Sequence, residues 1–184
     1  MYEDEGTNEE KLERVNRQYV QPLMPFDSCM ALTEWASPKD IDASTLIAFC
    51  AFHNFLDLPQ KNSEYTDHHG KAELVEAAIQ KYFDVPTEYL RTSKEYNYVD
   101  EFGVLYKDEC FIGTVGGGGA WTRTMSYERD GDLLIITVAE GGGDDSEDSP
   151  AAFFLLTVRI EKNGFKYLSY KAQGRANERL ALFF

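Results

Sequence analysis

Imidazole is the side chain that exchanges protons and binds metals near neutral pH, so the three histidines are where chemistry would first be sought. His53 and Asp57 stand four residues apart, one helical turn, a spacing that lets them hydrogen-bond or share a metal. Asp67-His68-His69 is the other grouping, but adjacent loop residues need not aim at one point. A hydrolytic zinc takes three protein ligands and a nearby general base. Neither grouping supplies them, and no metal site is assigned. Nucleophile motifs are lacking as well: there is no Gly-x-Ser-x-Gly, and no serine or cysteine stands in an activating context. Carboxylates are so numerous that no acid–base pair can be singled out. No catalytic residue is therefore assigned, and no cofactor is implied.

Two glycine-rich stretches invite ligand readings and resist them. Gly116 to Gly119 resembles a phosphate-cradling loop, but such a loop needs Lys and Ser/Thr next, opening a helix. Ala120-Trp121-Thr122 follows instead and opens a strand. The run Glu140 to Ser149 carries Asp144, Asp145, Glu147 and Asp148. A calcium loop needs its oxygen ligands at alternating positions with a closing glutamate. That order is missing here, and a solvated loop between two strands is the expectation.

Arg123 is a polar residue whose spacing puts it on an apolar strand face, beside aromatic residues. Strict alternation from a turn at Asp130-Gly131 sets Tyr127 against Leu134, Met125 against Ile136 and Arg123 against Val138, with Trp121 extending the same face. The opposite face then carries Thr122, Thr124, Ser126 and Glu128. Two outcomes stay open for Arg123. Its stem lies along the aromatics with the head in water, or the face opens into a concave site with Arg123 as anion binder and Trp121 and Tyr127 as walls. Trp121, Arg123 and Tyr127 are the candidate ligand-binding residues.

These side chains must be positioned by strands and helices that the sequence marks clearly. Asp-Gly and Asn-Gly between alternating apolar runs are strong hairpin signals. They occur at Asp130-Gly131 and Asn163-Gly164. For the second, a three-residue Lys162-Asn163-Gly164 loop sets Ile160, Val158 and Leu156 against Lys166, Leu168 and Tyr170, keeping the apolar sets together. Upstream, Glu9 to Tyr19 has helical spacing that Pro22 and Pro25 end. Asp42 or Ser44 caps an apolar helix from Leu46 to Leu56, and Pro59 stops it. Lys71 to Phe83 is amphipathic, with Leu74, Val75, Ala78, Ile79, Tyr82 and Phe83 on one face and Glu73, Glu76, Gln80 and Lys81 on the other. Pro86 suits the first position of a short helix, Thr87 to Arg91. From Tyr96 to Val115 the pattern is aromatic and irregular, with room for one or two short strands. The expected fold is α+β, with N-terminal helices on one face of a C-terminal antiparallel sheet of about four strands in hairpin order. An acidic spacer over 1–10 precedes a single domain over 11–184, helical through 95 and sheet from 96 to 175.

The charge balance narrows the partners. Among 184 residues, 32 are acidic and 18 basic, a formal charge of −14. That field repels phosphate backbones and anionic bilayers, so nucleic acid is excluded as a non-specific partner. No run approaches the roughly 20 apolar residues of a membrane span. Any membrane attachment would come from an N-terminal anchor absent from this chain. Cys29, Cys50 and Cys110 show no metal-binding spacing. Cys50 reads as a small core residue, and a Cys29–Cys110 disulfide is left open. The start Met1-Tyr2-Glu3-Asp4-Glu5 is not a signal peptide. It is either the true start of a cytoplasmic protein or a Met placed where a leader was removed, and the acidic spacer suits the latter.

The segments VEAAIQKYFDVPTEYLR, TVGGGGAWTR, DGDLLIITV and EKNGFKYLSYKA together resemble a diffuse group of uncharacterised extracytoplasmic proteins, often lipid-anchored, from anaerobic Gram-positive bacteria. The likeness spans residues 40 to 173, and what it implies is location: an exported protein whose mature soluble part is this chain. The expectation is a non-enzymatic extracytoplasmic binding or interaction domain with an unknown cell-surface protein or small ligand as partner. The rival is a hydrolase using His53/Asp57 or a carboxylate pair in a helix–sheet cleft. A structural element of an envelope assembly is the third reading.

Overall fold

The alternating apolar residues after position 120 form four long antiparallel strands, β4 (Ala120–Asp130), β5 (Leu133–Gly142), β6 (Ala152–Glu161) and β7 (Gly164–Arg175). Their order in the sheet is β4-β5-β6-β7, so each strand pairs with its neighbour in sequence. Helices stand ahead of this sheet in the chain, and the fold is α+β, as the sequence pattern predicts. The computed structural model describes residues 6–26, 34–52, 65–66, 69–111, 120–142 and 150–175. His53, Asp57, Asp67, His68, Cys29, the Gly116–Gly119 run and residues 143–149 lie outside them. Composition divides the chain near residue 95; contacts divide it differently. One compact unit joins Met1–Ser37 to Gly117–Phe184, and the other is Pro38–Gly116.

In the first unit a helical segment covers one sheet face. Thr7 opens α1 (Asn8–Val15) with a reciprocal capping box to Glu10. The helix then widens into a π-helical turn, Asn16–Val20, and tightens into a 3-10 turn, Gln21–Phe26. Widening places Tyr19 and Val20 side by side in the core. The Tyr19 carbonyl receives the Tyr167 hydroxyl at 2.9 Å. Below it lie Leu134, Ile136, Val138, Leu156, Val158, Tyr167 and Tyr170, all buried. Removing side chains of this size from water is the main force holding the helical segment to the sheet. The β7 edge is closed at one point by Trp35, whose backbone exchanges both hydrogen bonds with Tyr170, at 2.8 and 2.9 Å.

Both hairpins depart from simple alternation, and for the same reason. The first turn is Gly131-Asp132, not Asp130-Gly131, because Asp130 pairs with Leu133. Gly131 has φ 62° while Asp132 does not turn positive, which is what a type II′ turn requires of its first central residue. A bulge at Met125 then shifts the register, so that Tyr127 faces Ile136, but Thr124 faces Val138 and Arg123 faces Ala139. The second loop has two residues, not three, since Glu161 pairs with Gly164. A bulge at Leu168 restores Leu156 opposite Tyr170, while Tyr167 and Phe165, instead of Leu168 and Lys166, meet Val158 and Ile160. Unbroken alternation would have turned one cation inward in each hairpin, Arg123 in the first and Lys166 in the second. Each bulge sends that cation to the other face.

The second unit is built on helices. Asp42 caps α2 (Ala43–Phe52) by accepting from the Ser44 N–H at 2.9 Å. Phe49 packs edge-on against Tyr82 and Phe83 at ring distances of 5.8 and 5.1 Å. Those rings belong to α3 (Ala72–Tyr82) and its C-cap. Val75, Ile79 and Phe83 are fully buried, as their spacing predicts. Glu76 is the exception on the expected polar face. It is buried and meets Arg91 Nε at 2.6 Å, just past α4 (Thr87–Leu90), which Pro86 caps from outside rather than entering. This contact, with Glu76 charge and hydrogen bond, raises the Arg91 pKa further above its already high ordinary value. A small sheet of β1 (Tyr65–Thr66), β2 (His69–Lys71) and β3 (Glu109–Phe111) completes the unit.

Candidate functional site

The sheet brings together only two of the three residues that alternation selects. Trp121 and Arg123 share one face, opposite Gly141 and Ala139. Tyr127 points to the other face with Ile136, toward the helical segment. The Met125 bulge is the cause, and the walled pocket expected from Trp121, Arg123 and Tyr127 does not form. Thr122 and Thr124, expected on the solvent side, turn inward instead. Thr124 is buried and its hydroxyl donates to Asn16 Oδ1 at 3.1 Å. Trp121 lies flat over Gly141: a Cβ built there would stand 2.7 Å from the indole Nε1 and closer to two ring carbons. The tryptophan is half-buried and serves as a lid on its neighbouring strand.

Glu140 also differs from expectation. Instead of opening a solvated loop it lies in β5, buried, and accepts the Tyr170 hydroxyl. Burial, then the Glu140 charge and hydrogen bond, push the Tyr170 phenol well above its ordinary value. Tyr170 is stacked against Phe154 at 4.7 Å and Trp35 at 6.3 Å, so this pair belongs to the core of the first unit. In the second unit the hydroxyls of Ser44 and Ser93 both donate to Glu95. That cluster sits at the start of α2, where a carboxylate is favoured by the helix dipole. Among the described residues no three His, Cys, Asp or Glu side chains gather as a metal would need. Nor is any helix among them long and apolar enough to cross a membrane.

The feature that stands out lies where the sequence pattern was least readable. Residues 95–111 form a two-stage hairpin. Its base pairs 95–97 with 109–111 through Phe111 N–H to Glu95 O at 2.7 Å and Asn97 N–H to Glu109 O at 3.0 Å. Cys110 is buried there, its Sγ 3.9 Å from the Phe111 carbonyl oxygen. Asn97 and Asp108 both take positive φ, 52° and 60°, and the Asn97 side chain accepts the Asp108 N–H. Asparagine and aspartate tolerate that conformation better than other non-glycine residues. Above this kink Tyr98 and Tyr106 stack face to face, 4.7 Å apart and 5° from parallel. Hydrogen bonding to Asp100, then burial, raises the Tyr106 pKa above its ordinary value.

The tip is held by one carboxylate. Asp100 Oδ1 accepts the N–H of Phe102 and of Val104, each at 2.9 Å, and Oδ2 accepts the Tyr106 hydroxyl at 3.2 Å. Gly103 closes the turn with φ 80°. Beside exposed Glu101 this ordered turn presents four apolar side chains: Val99 is 57% exposed, Phe102 83%, Val104 50% and Leu105 57%. Single exposed apolar residues are ordinary; four on one short turn, fixed by a side-chain network, are more than scattered exposure. Burying them on a partner would release about 6 kcal/mol gross, before association costs of similar size. The sequence signal was present in Tyr98-Val99-Asp100-Glu101-Phe102-Gly103-Val104-Leu105-Tyr106: an Asp three residues before a Gly, flanked by apolar pairs and two tyrosines.

No family model, curated protein or solved structure matches the chain.

Proposed function

We propose that this chain is a non-enzymatic interaction domain working outside the cytoplasm, at the cell surface, and that it docks through the hairpin tip at residues 98–106. The observation that carries this reading is the tip itself. Four exposed apolar side chains are held in place by Asp100 and a stacked tyrosine pair. A turn ordered before binding loses little conformational entropy when it docks, so a small apolar contact suffices. The extracytoplasmic setting rests on the resemblance carried by the segments at residues 75–91 and 114–123 and by the strands that follow. A photo-crosslinking residue placed at Phe102 in the source cells tests the docking role. A discrete adduct at that position, with none at exposed Lys39 in the same unit, is the expected result. Equal labelling at both positions, or none at either, would refute it.

A further inference from the structure

The hairpin that carries the tip has two open backbone edges. Tyr106 N–H donates to Tyr98 O at 3.0 Å and Asp100 N–H to Val104 O at 3.1 Å, one on either side of the Val99–Leu105 bridge. Bonds placed this way leave the N–H and C=O of Val99 and of Leu105 pointing outward, away from each other. Among the described residues neither backbone has a hydrogen-bond partner, and both residues are more than half exposed. Outward amides on a two-stranded hairpin are a template for a further strand. The two edges differ in charge. The Leu105 edge runs from Phe102 to Asp108 and carries the cation Lys107, whereas the Val99 edge, from Asn97 to Glu101, carries none.

We infer that the partner docked by this hairpin is a second copy of the chain, paired antiparallel along the Leu105 edge, with Leu105 opposite Leu105 about a two-fold axis. This rests on the reading of residues 98–106 as the docking element and adds the identity of what it meets. The register sets Val104 against Tyr106 and Gly103 against Lys107. Gly103 has no side chain, so Lys107 of each copy can cross it toward Glu101, the exposed carboxylate of the other tip. Symmetry makes that opposite-charge contact twice. Asp100 stays on the far strand, held by its own turn, and Asp108, with φ 60°, bends the chain out of the ladder. Pairing along the Val99 edge would bring two Asp100 carboxylates onto neighbouring strands with no cation between them, and is disfavoured. One short hairpin against another buries less than the roughly 1,000 Å² of a stable interface, so the dimer is weak. The charge of −14 on each copy opposes it, and salt near 0.15 M screens that repulsion beyond about 8 Å. Identical surfaces meet, so association closes at two copies.

Sedimentation equilibrium near physiological salt, from micromolar to near-millimolar protein, tests this. Wild type is expected to rise from its 20.9 kDa monomer mass toward twice that value and no further. Glu101→Lys and Lys107→Glu are each expected to stay monomeric with unchanged melting, although Glu101→Lys lowers the overall repulsion. The two variants mixed are expected to dimerise, and so is the exchanged chain Glu101→Lys/Lys107→Glu alone, since each restores opposite charges across the axis. Without any substitution, amide exchange in concentrated protein is expected to slow at Leu105 and not at Val99. A wild type that stays monomeric throughout, a charge exchange that restores nothing, or protection at Val99 without Leu105 would overturn the assignment. In the source cells the Phe102 adduct is expected at the mass of two copies. An adduct to a different protein would overturn the second copy and leave the docking role of the tip standing; no adduct at all would refute the docking role itself.

Discussion

Gly141→Ala is the sharpest probe of how the sheet is built. The new methyl would overlap the Trp121 indole, lying 2.7 Å from Nε1 and nearer to the ring carbons. No real Cβ tolerates this, so either the indole leaves or the strand bends. If the indole leaves, it gives up about 100 Å² of contact, half the area an aromatic buries, at about 2.5 kcal/mol. If the strand bends, overpacking costs about 1–3 kcal/mol. Both routes give a loss of roughly 2–3 kcal/mol, or about 5–10 °C in melting temperature for a chain of this length. Trp121→Ala should cost a similar amount alone. The double variant should be no worse than Trp121→Ala, a coupling of about 2 kcal/mol in a double-mutant cycle. Urea unfolding followed by tryptophan emission reads this, since Trp35 and Trp121 are the only tryptophans and Trp121 emission should shift red. If Gly141→Ala keeps its stability within about 0.5 kcal/mol, with emission unchanged, the lid geometry is wrong.

Three further outcomes follow from the same structure. Deleting Met125 should cost less than about 1 kcal/mol, because Ser126 would then follow Thr124 in an unbroken ladder with every facing retained; a regular ladder would instead unfold, as circular dichroism would show. Tyr170→Phe should cost about 2 kcal/mol at neutral pH by removing a donor from buried Glu140. The Tyr170 pKa is raised on folding, so its contribution is complete below the ordinary tyrosine value and declines as pH rises above it toward the folded pKa. Melting scans should accordingly show wild type losing more stability than Tyr170→Phe above about pH 10. Asp100→Ala removes the acceptor of two backbone N–H bonds. Amide exchange at Phe102 and Val104 should accelerate about thirtyfold while global melting hardly changes, since the tip opens locally.

How much of this was legible in the chain depends on the range of the interactions. The α+β order, the two hairpins, the amphipathic face of α3 and the Asp42 cap are local patterns, and they match the structure. The facing of Arg123 and Lys166 is not local. It depends on bulges at Met125 and Leu168, which alternation cannot register because a single extra residue reverses every position beyond it. The chain nevertheless held the warning, since unbroken alternation buried a cation in each hairpin. Periodicity and composition alone put Glu76 and Glu140 in solvent for a related reason. Their partners, Arg91 and Tyr170, stand 15 and 30 residues away, beyond any periodic window. The tip escapes the sequence pattern because its order comes from one aspartate and a tyrosine stack, not from a repeating apolar pattern.

Hydrogen exchange measured on dilute and concentrated protein tests the central claim most directly. The account predicts that the Phe102 and Val104 amides, held by Asp100, exchange far more slowly than in an open chain at every concentration. Protection confined to other surfaces, or a tip whose amides exchange as fast as an open chain at every concentration, would contradict it.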